Sequence, residues 1–379
     1  MHMHLTTGNG LAPPANSAVQ AAMSNLCDVQ VQSGFFDLLM NFSRFRPFSL
    51  TCAFVQAINS DGQLTALGHH LAKLPVDPHI GKMLIFGTIF SCIDPILTIA
   101  ACCSYKMPFA SSIDRRAEAT EARKRLGGPA PESDLVVAIN AYNEWATACG
   151  FDGGNDRGAA RQGEAVCRKF SLNPTVLLQL RDLRKQFVDL LQSIGFLARR
   201  DGLMHEKNAN SKKPAIVSAV ICAGLYPNIA RLQNLNGNDI VLAGQGGETR
   251  DLVLHKSSVL YLRSDPLPTG SLLTFHQKMA TTRSFVMDAT VVPANAVVLF
   301  GGKLNVDHVN GLVTLDGWLS LPVPARTAVI IKELRVQLET LLHSMVERPK
   351  MDLNKDAQHL VKAVELLLQD AKRSVAEVT

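Results

Sequence analysis

Near residue 236 the spacing of apolar residues changes from every third or fourth position to every second, and after residue 321 it changes back. A period close to 3.6 is that of one helix face and a period of 2 that of one strand face, so no single regular architecture fits the whole chain. The order is a helical region, a small β unit and a helical tail. With 379 residues, 47% of them apolar, there is material for two to three cores. The expected fold class is multidomain α+β.

The first region reads as a series of helices. Pro13-Pro14 opens a short one over residues 11–26, since proline is tolerated in a first turn. Leu64, Leu67 and Leu71 recur at helical spacing up to Leu74-Pro75, and Gly81–Phe90 is a second apolar helix. A third is expected from Asp94-Pro95, with Asp94 as N-cap, and stops at Met107-Pro108. Ser133 or Asp134 caps a helix running to about Cys149. The clearest helix starts at Asn173-Pro174, carries the stripe Val176, Leu177, Leu180, Leu183, Phe187, Leu190, Leu191 and Ile194, and ends at Gly195. Arg181, Arg184 and Lys185 lie on another face of it. In the tail, Ile331, Leu334, Leu338, Leu341, Leu342 and Met345 make one stripe, and a last amphipathic segment covers Asp356–Ser374.

Between them lie short runs separated by Gly, Asn and Pro: DIVLA (239–243), SVLYLR (258–263), SLLTFH (271–276), SFVMDATVV (284–292), VVLFGG (297–302) and GLVTLDGWLSL (311–321). Five or so short strands with frequent turns predict a small closed barrel rather than a parallel sheet.

Chemistry-bearing motifs are scarce. Gly81-Lys82 and Gly302-Lys303 lack the rest of a phosphate-cradling P-loop, and there is no GxSxG, HExxH or EF-hand pattern. His69-His70 with His79 is a weak metal pattern and reads as structural. The eight cysteines include no CxxC pair, and Cys102-Cys103 sit in an apolar segment, as expected for reduced, buried thiols of a cytoplasmic or nuclear protein. No apolar run is long enough for a membrane helix, so no membrane partner is expected. The net charge of +5 permits a polyanionic partner without requiring one.

Several collinear segments resemble the C-terminal half of DEAH-box/RNA helicase A-type RNA helicases. They are LAPP (11–14), LTALGHHLAKLPVDPHIGKML (64–84), CIDPILTIAACCSYKMPF (92–109), SDLVVAINAYNEW (133–145), LRDLRKQFVDLLQSIGF (180–196), CAGLYPNIARL (222–232), HKSSVLYL (255–262), SFVMDATVV (284–292) and VVLFGG (297–302). LDGWLSL (315–321) and IKELRVQLETLLHSMVERP (331–349) continue the likeness. The resemblance implies a winged-helix module over 11–90, a helical ratchet (helicase-associated) domain over 91–212, an OB-fold over 213–321 and C-terminal helices over 322–379. The family's RecA-like motor domains, which bind ATP and Mg, belong before residue 11; this stretch is expected to hold no cofactor and to perform no catalysis by itself.

Two departures stand out. The family commonly has His after Ser-Asp in the ratchet, where this chain has Leu135. Residues 31–56 interrupt the first module with six of the 16 Phe and only Asp37, Arg44 and Arg46 as charges. Their removal joins Gln30 to Ala57 and restores a family-like spacing, so the segment is expected to be an insertion or a retained in-frame intron.

In this family reading the chain is the RNA-binding accessory region of an ATP-dependent helicase. It would grip single-stranded RNA and dock on the motor domains, with a glycine-patch-type regulator as a further partner; the alternative is a stand-alone protein-interaction or RNA-binding protein derived from a helicase. OB-folds hold strands through basic and hydroxyl groups on their turns. The candidates are His255, Lys256 and Ser257 on one turn and Lys278, Thr281, Thr282 and Arg283 on another, with Arg181, Arg184 and Lys185 on the ratchet helix. Tyr261 and Phe275 are expected in the barrel core rather than as stacking platforms.

Overall fold

The computed structural model describes residues 57–58, 64–110, 115–151, 159–198, 206–236, 239–244, 252–281, 283–307, 311–322, 325–349 and 355–376. The expected helix over 11–26 and the 31–56 segment lie outside them. The chain forms two compact units, Met1–Pro78 and His79–Thr379.

In the first unit, helix α1 (Ala66–Ala72) is capped by Thr65, whose Oγ1 accepts from the Gly68 amide at 3.0 Å. Gly68 is required there: a Cβ would stand 2.1 Å from the Ala57 carbonyl oxygen.

All but the first residue of α2 (Pro78–Ile89) belongs to the second unit, where α3 (Ile93–Ser104) follows. α3 starts two residues earlier than the sequence suggests, with Cys92 at the N-cap position, so Asp94 sits in the first turn instead of capping it. Helices α4 (Arg116–Gly127), α5 (Asp134–Ala148), α6 (Ala159–Lys169) and α7 (Pro174–Ser193) follow. α7 forms as expected: Asn173 Oδ1 accepts from the Thr175 and Val176 amides, Pro174 opens the helix, and Val176, Leu177, Leu180, Phe187 and Leu191 are buried. α8 (Pro214–Leu225) is buried on all sides, as its apolar composition demands, and lies against α2 so closely that a Cβ on Gly224 would be 2.6 Å from Met83 Cβ.

Five strands then close into a barrel: β1 (Ile229–Asn236), β2 (Asp239–Gly244), β3 (Leu252–Leu254), β4 (Leu272–Ala280) and β5 (Ser284–Val292), in spatial order β1-β2-β3-β5-β4. All neighbours are antiparallel except β3 and β5, which run parallel. Ala230, Leu232, Ile240, Leu242, Leu254, Leu273, Phe275 and Val286 fill the barrel, so Phe275 is core as expected. This is the five-stranded OB arrangement.

Two expected strands take other forms, and a third run stays β but lies outside the barrel. Val259–Leu262 is a 3₁₀ turn, Ala294–Phe300 is a helix (α9), and residues 312–322 belong to a separate three-stranded sheet of β6 (Leu304–Asp307), β7 (Leu312–Leu315) and β8 (Leu319–Pro322). Conversely, β1 carries a polar RLQNLN stretch that gave no strand signal. Short apolar runs do not distinguish a strand from a buried helical turn, and here burial on every side decides for α9. The tail consists of α10 (Ala325–Glu347) and α11 (Lys355–Ala376). Arg335 of α10 donates to the carbonyls of Val298, Gly301 and Gly302 at 3.1, 2.5 and 2.6 Å, placing a cation on the C-terminal end of α9.

The barrel and the ratchet helices meet at the start of α5. Ser133 caps α5 through the Val136 amide at 3.1 Å. The Asp134 carboxylate reaches into the barrel unit, accepting from Ser258 Oγ, the Val259 amide and the Ala289 amide at 2.8, 2.7 and 2.9 Å. Leu135, the departure from the family pattern, is fully buried in this joint.

Candidate nucleic-acid interface

The β4–β5 hairpin has two halves. Leu272, Leu273, Thr274 and Phe275 are buried, whereas Gln277, Lys278, Met279 and Ala280 are exposed. The outer half therefore forms an exposed arm of β4, paired with β5 on one side but not with β1 on the other. Its pairing continues to Ala280 opposite Ser284, and the Thr281 amide closes the tip on the Arg283 carbonyl at 2.9 Å. Met279, 40% exposed, lies on this arm, where an apolar side chain gains nothing from the core.

The tip stands beside two other chain segments. β5 runs parallel to β3 with Ser284 opposite Leu252, and β2 starts at Asp239 on the same end of the barrel. Asp239 joins the three: its Oδ2 lies 2.7 Å from Arg283 Nη1 and its Oδ1 2.7 Å from Lys256 Nζ. These two cations hold the Asp239 carboxyl below the usual range, chiefly through the hydrogen bonds they donate. Lys256 Nζ also lies 4.9 Å from the Tyr261 ring centroid. Tyr261 is the strut of this end: its hydroxyl accepts from the Ile240 amide at 3.1 Å and donates to the Leu254 carbonyl at 3.0 Å, linking β2 to β3. Its ring is half-buried, which fits the structural role expected of it.

His255 stands edge-on to Phe285 with ring centroids 5.8 Å apart, and its Nδ1 lies 2.7 Å from Ser257 Oγ. Ser257 in turn accepts from Arg123 Nη1 of α4 through its carbonyl at 3.2 Å. His255, Lys256, Ser257 and Arg283 are thus brought to one end of the barrel, and Lys278 and Thr281 lie on the arm above it. Thr282 is outside the described residues.

The three ratchet cations separate in the fold. Arg184 is turned inward, with Nη2 at 2.5 Å from Asp94 Oδ1, Nη1 donating to the Asp94 carbonyl at 2.8 Å and to Thr98 Oγ1, and the guanidinium 4.8 Å from the Tyr142 ring. Its side chain is 16% exposed and ties α7 to α3, so the expectation that it faces a strand is corrected: helical spacing fixes its azimuth, but the neighbouring helix decides whether that azimuth is solvent. Arg181 pairs with Asp182 at 3.0 Å and lies over Phe151 at 5.1 Å. Lys185 is exposed.

Sequence reasoning missed Asp239, whose only signal was a carboxylate at the head of a strand facing two basic turns. It also missed the exposed half of β4, written as the switch from LLTF to HQKMA.

Comparison with known families agrees with this architecture along the chain. Residues 55–76 match the helicase-associated winged-helix model and residues 77–138 the ratchet-like helicase-associated model. Residues 217–304 match the oligonucleotide/oligosaccharide-binding fold, and residues 311–370 the C-terminal domain in RNA helicases. The chain carries the C-terminal modules of the DEAH-box/RNA helicase A-type family. Among the relatives of these helicase modules, the human ATP-dependent DNA/RNA helicase DHX36 is 35% identical over 298 residues, covering 78% of this chain and 29% of that protein. The human ATP-dependent RNA helicase DHX29 is 35% identical over 309 residues, with 78% and 21% covered. The Arabidopsis thaliana DExH-box ATP-dependent RNA helicase DExH4, chloroplastic, is 33% identical over 352 residues, with 84% and 24% covered. The helicase modules thus span less than a third of the length of these relatives. Among the described residues, no helix is long and apolar enough to cross a membrane.

Cys92, Cys102 and Cys222 are buried thiols. Burial pushes Cys92, Cys102 and Cys222 up to about 12, which leaves them as neutral packing groups.

Proposed function

We propose that the chain is the RNA-binding accessory region of an ATP-dependent DEAH/RHA-type RNA helicase, and that the open end of its OB barrel grips single-stranded RNA. Within this reading it divides into a winged-helix module (11–90), a ratchet (91–212), an OB-fold (213–321) and C-terminal helices (322–379). The partner is the pair of RecA-like motor domains, where ATP and Mg would be handled; the relatives' names as ATP-dependent helicases support that assignment.

One observation carries the reading: Lys256 and Arg283, from turns 27 residues apart in sequence, meet at a single carboxylate on the barrel whose exposed β4 arm carries Lys278. A phosphate that approaches this end takes the place of Asp239 as their partner, while Lys278 meets a neighbouring phosphate. Contacts of this kind position a strand without reading its sequence. Lys185 and Arg181 supply further positive charge on the ratchet.

The test is binding of labelled single-stranded RNA over a range of salt concentrations. Affinity is expected to fall linearly on logarithmic axes with rising salt, and each phosphate left unbound in a variant to reduce the slope by about 0.7. The double variant Lys278→Ala with Arg283→Ala weakens binding alike for unrelated sequences. Salt-independent binding, or a loss confined to one sequence, overturns the reading.

A further inference from the structure

The opposite end of β2 bounds a cavity of about 520 Å³ that the proposed strand contacts do not use. Arg231, Gln233, Thr269, Gly270 and Trp318 contribute to its wall. The size falls within the roughly 300–1,000 Å³ usual for small-ligand sites. From Asp239 to Gly244 is about 16 Å of extended chain, so this is a place apart from the Asp239 cluster.

The wall is built in two parts. Arg231 alternates with the core residues Ala230 and Leu232 on β1 and therefore points outward. Gly270, with φ of +90°, stands so near it that a Cβ would lie 3.6 Å from Arg231 Nη2. A glycine there keeps the space beside the guanidinium open. Trp318 comes from the second sheet, on the turn between β7 and β8. That turn is pinned by Asp316, which accepts from the Tyr226 hydroxyl and from the Lys303 amide, the latter at 2.7 Å. Gly302 makes the seat, since a Cβ would meet Asp316 Oδ1 at 2.2 Å.

The polar groups of the pocket are uncommitted. Among the described residues, the side chains of Arg231, Gln233, Thr269 and Trp318 make no hydrogen bond or ion pair. The set is one exposed cation, one half-buried indole, and an amide and a hydroxyl with donors and acceptors to spare. An anion with an aromatic ring matches it.

We propose that this pocket binds one nucleotide, with the base against Trp318 and the phosphate on Arg231. Gln233 and Thr269 face the base edge or the sugar. The nucleotide is either a free nucleoside monophosphate or one unit of a strand, and the chemistry of recognition is the same. The site is independent of Lys278 and Arg283, so each can fail without the other.

Trp318 makes the test direct, because the other tryptophan, Trp145, is 4% exposed. Intrinsic fluorescence of the full chain is titrated with adenosine 5′-monophosphate and, separately, with a short single-stranded oligoribonucleotide. Quenching by either is expected; quenching by the mononucleotide identifies a free-nucleotide site, and quenching by the strand alone a strand subsite. Arg231→Ala weakens the quenching ligand at least about fivefold, and Trp318→Phe abolishes the response with circular dichroism unchanged. The Lys278→Ala, Arg283→Ala protein, which tests the strand contacts, retains the mononucleotide response or, for a strand subsite, quenches to the same end point at higher RNA. No quenching by either ligand, an equal response in Arg231→Ala, or the same quench from inorganic phosphate overturns the proposal.

Discussion

The Asp239 carboxylate lies 2.7 Å from Arg283 Nη1 and holds that guanidinium against the barrel end, with Lys256 at the same distance on its other oxygen. The acid keeps two phosphate-seeking cations ordered and at the same time competes for them. Asp239→Asn removes the competition and leaves the shape. RNA affinity at low salt is expected to rise several-fold, with a salt slope steeper by up to about 0.7 for each additional phosphate bound. Fluorescence anisotropy with a single-stranded oligomer measures both. A weaker complex would show that Asp239 acts mainly as a scaffold.

Arg184 belongs to the fold rather than to a strand-binding face. Its guanidinium satisfies the Asp94 carboxylate and carbonyl and the Thr98 hydroxyl from the facing helix. Arg184→Met keeps much of the stem packing but leaves those acceptors without their donor. The expected loss is about 1–3 kcal/mol of stability, read from urea unfolding, with RNA affinity of the folded protein unchanged. An affinity loss without a stability loss would return Arg184 to the interface.

Gly224 tests the packing of α8 on α2. Its hydrogen faces Met83, and a Cβ would come within 2.6 Å of Met83 Cβ and 3.1 Å of its Cα. No rotamer change moves a Cβ or Cα, so the helices must separate. Gly224→Ala is expected to lower stability by about 1–3 kcal/mol despite the better helix propensity of alanine. A shift in thermal midpoint of a few degrees downward is the observable; an upward shift would mean that the helices slide freely.

How much of this was readable in the chain depends on how local each cause is. The cap and stripe of α7 are local, and Asn173, Pro174 and the leucines predict it to within a residue. The closed barrel was legible as a class, because alternating runs with frequent turns favour closure. Its membership was not: Tyr261 sits in a 3₁₀ turn and Phe300 in a helix, since both runs are short enough for burial to choose their form. That His255, Lys256 and Ser257 lie on one turn and Lys278 and Arg283 on another was legible, because each set is contiguous between apolar runs; that Lys256 and Arg283 meet was not, since their turns are joined only through the barrel. Asp239 was invisible, since nothing in its neighbours says that Lys256 and Arg283 will arrive beside it. Arg184 was misread for the mirror-image reason: its own helix is legible, but the acceptors that claim it lie on another.

Asp288 gives the barrel–ratchet joint a pH dependence. It occupies the left-handed region at φ 55°, within β5 and next to Ala289, whose amide binds Asp134. Burial, reinforced by repulsion from Asp134 and opposed by Arg123, pushes its carboxyl up to about 7. Asp134 is raised as well by burial, against the hydrogen bonds from Val259, Ser258 and Ala289 and the field of Arg123 that favour its charge. For Asp288 the folded state binds a proton that the unfolded state releases near 3.8, so between that value and about 7 the unfolded chain holds fewer protons and stability falls as pH rises. Above about 7 the full penalty is present. Asp288→Asn removes the ionisation: the slope of stability against pH between about 5 and 7 is expected to flatten, and stability at pH 8 to rise by up to about 4 kcal/mol, the full effect of the shift from 3.8 to about 7. Urea unfolding at pH 5, 6, 7 and 8 in wild type and variant decides it. Parallel curves would mean that the carboxylate is fully compensated at the joint, with Arg123 the group that compensates it.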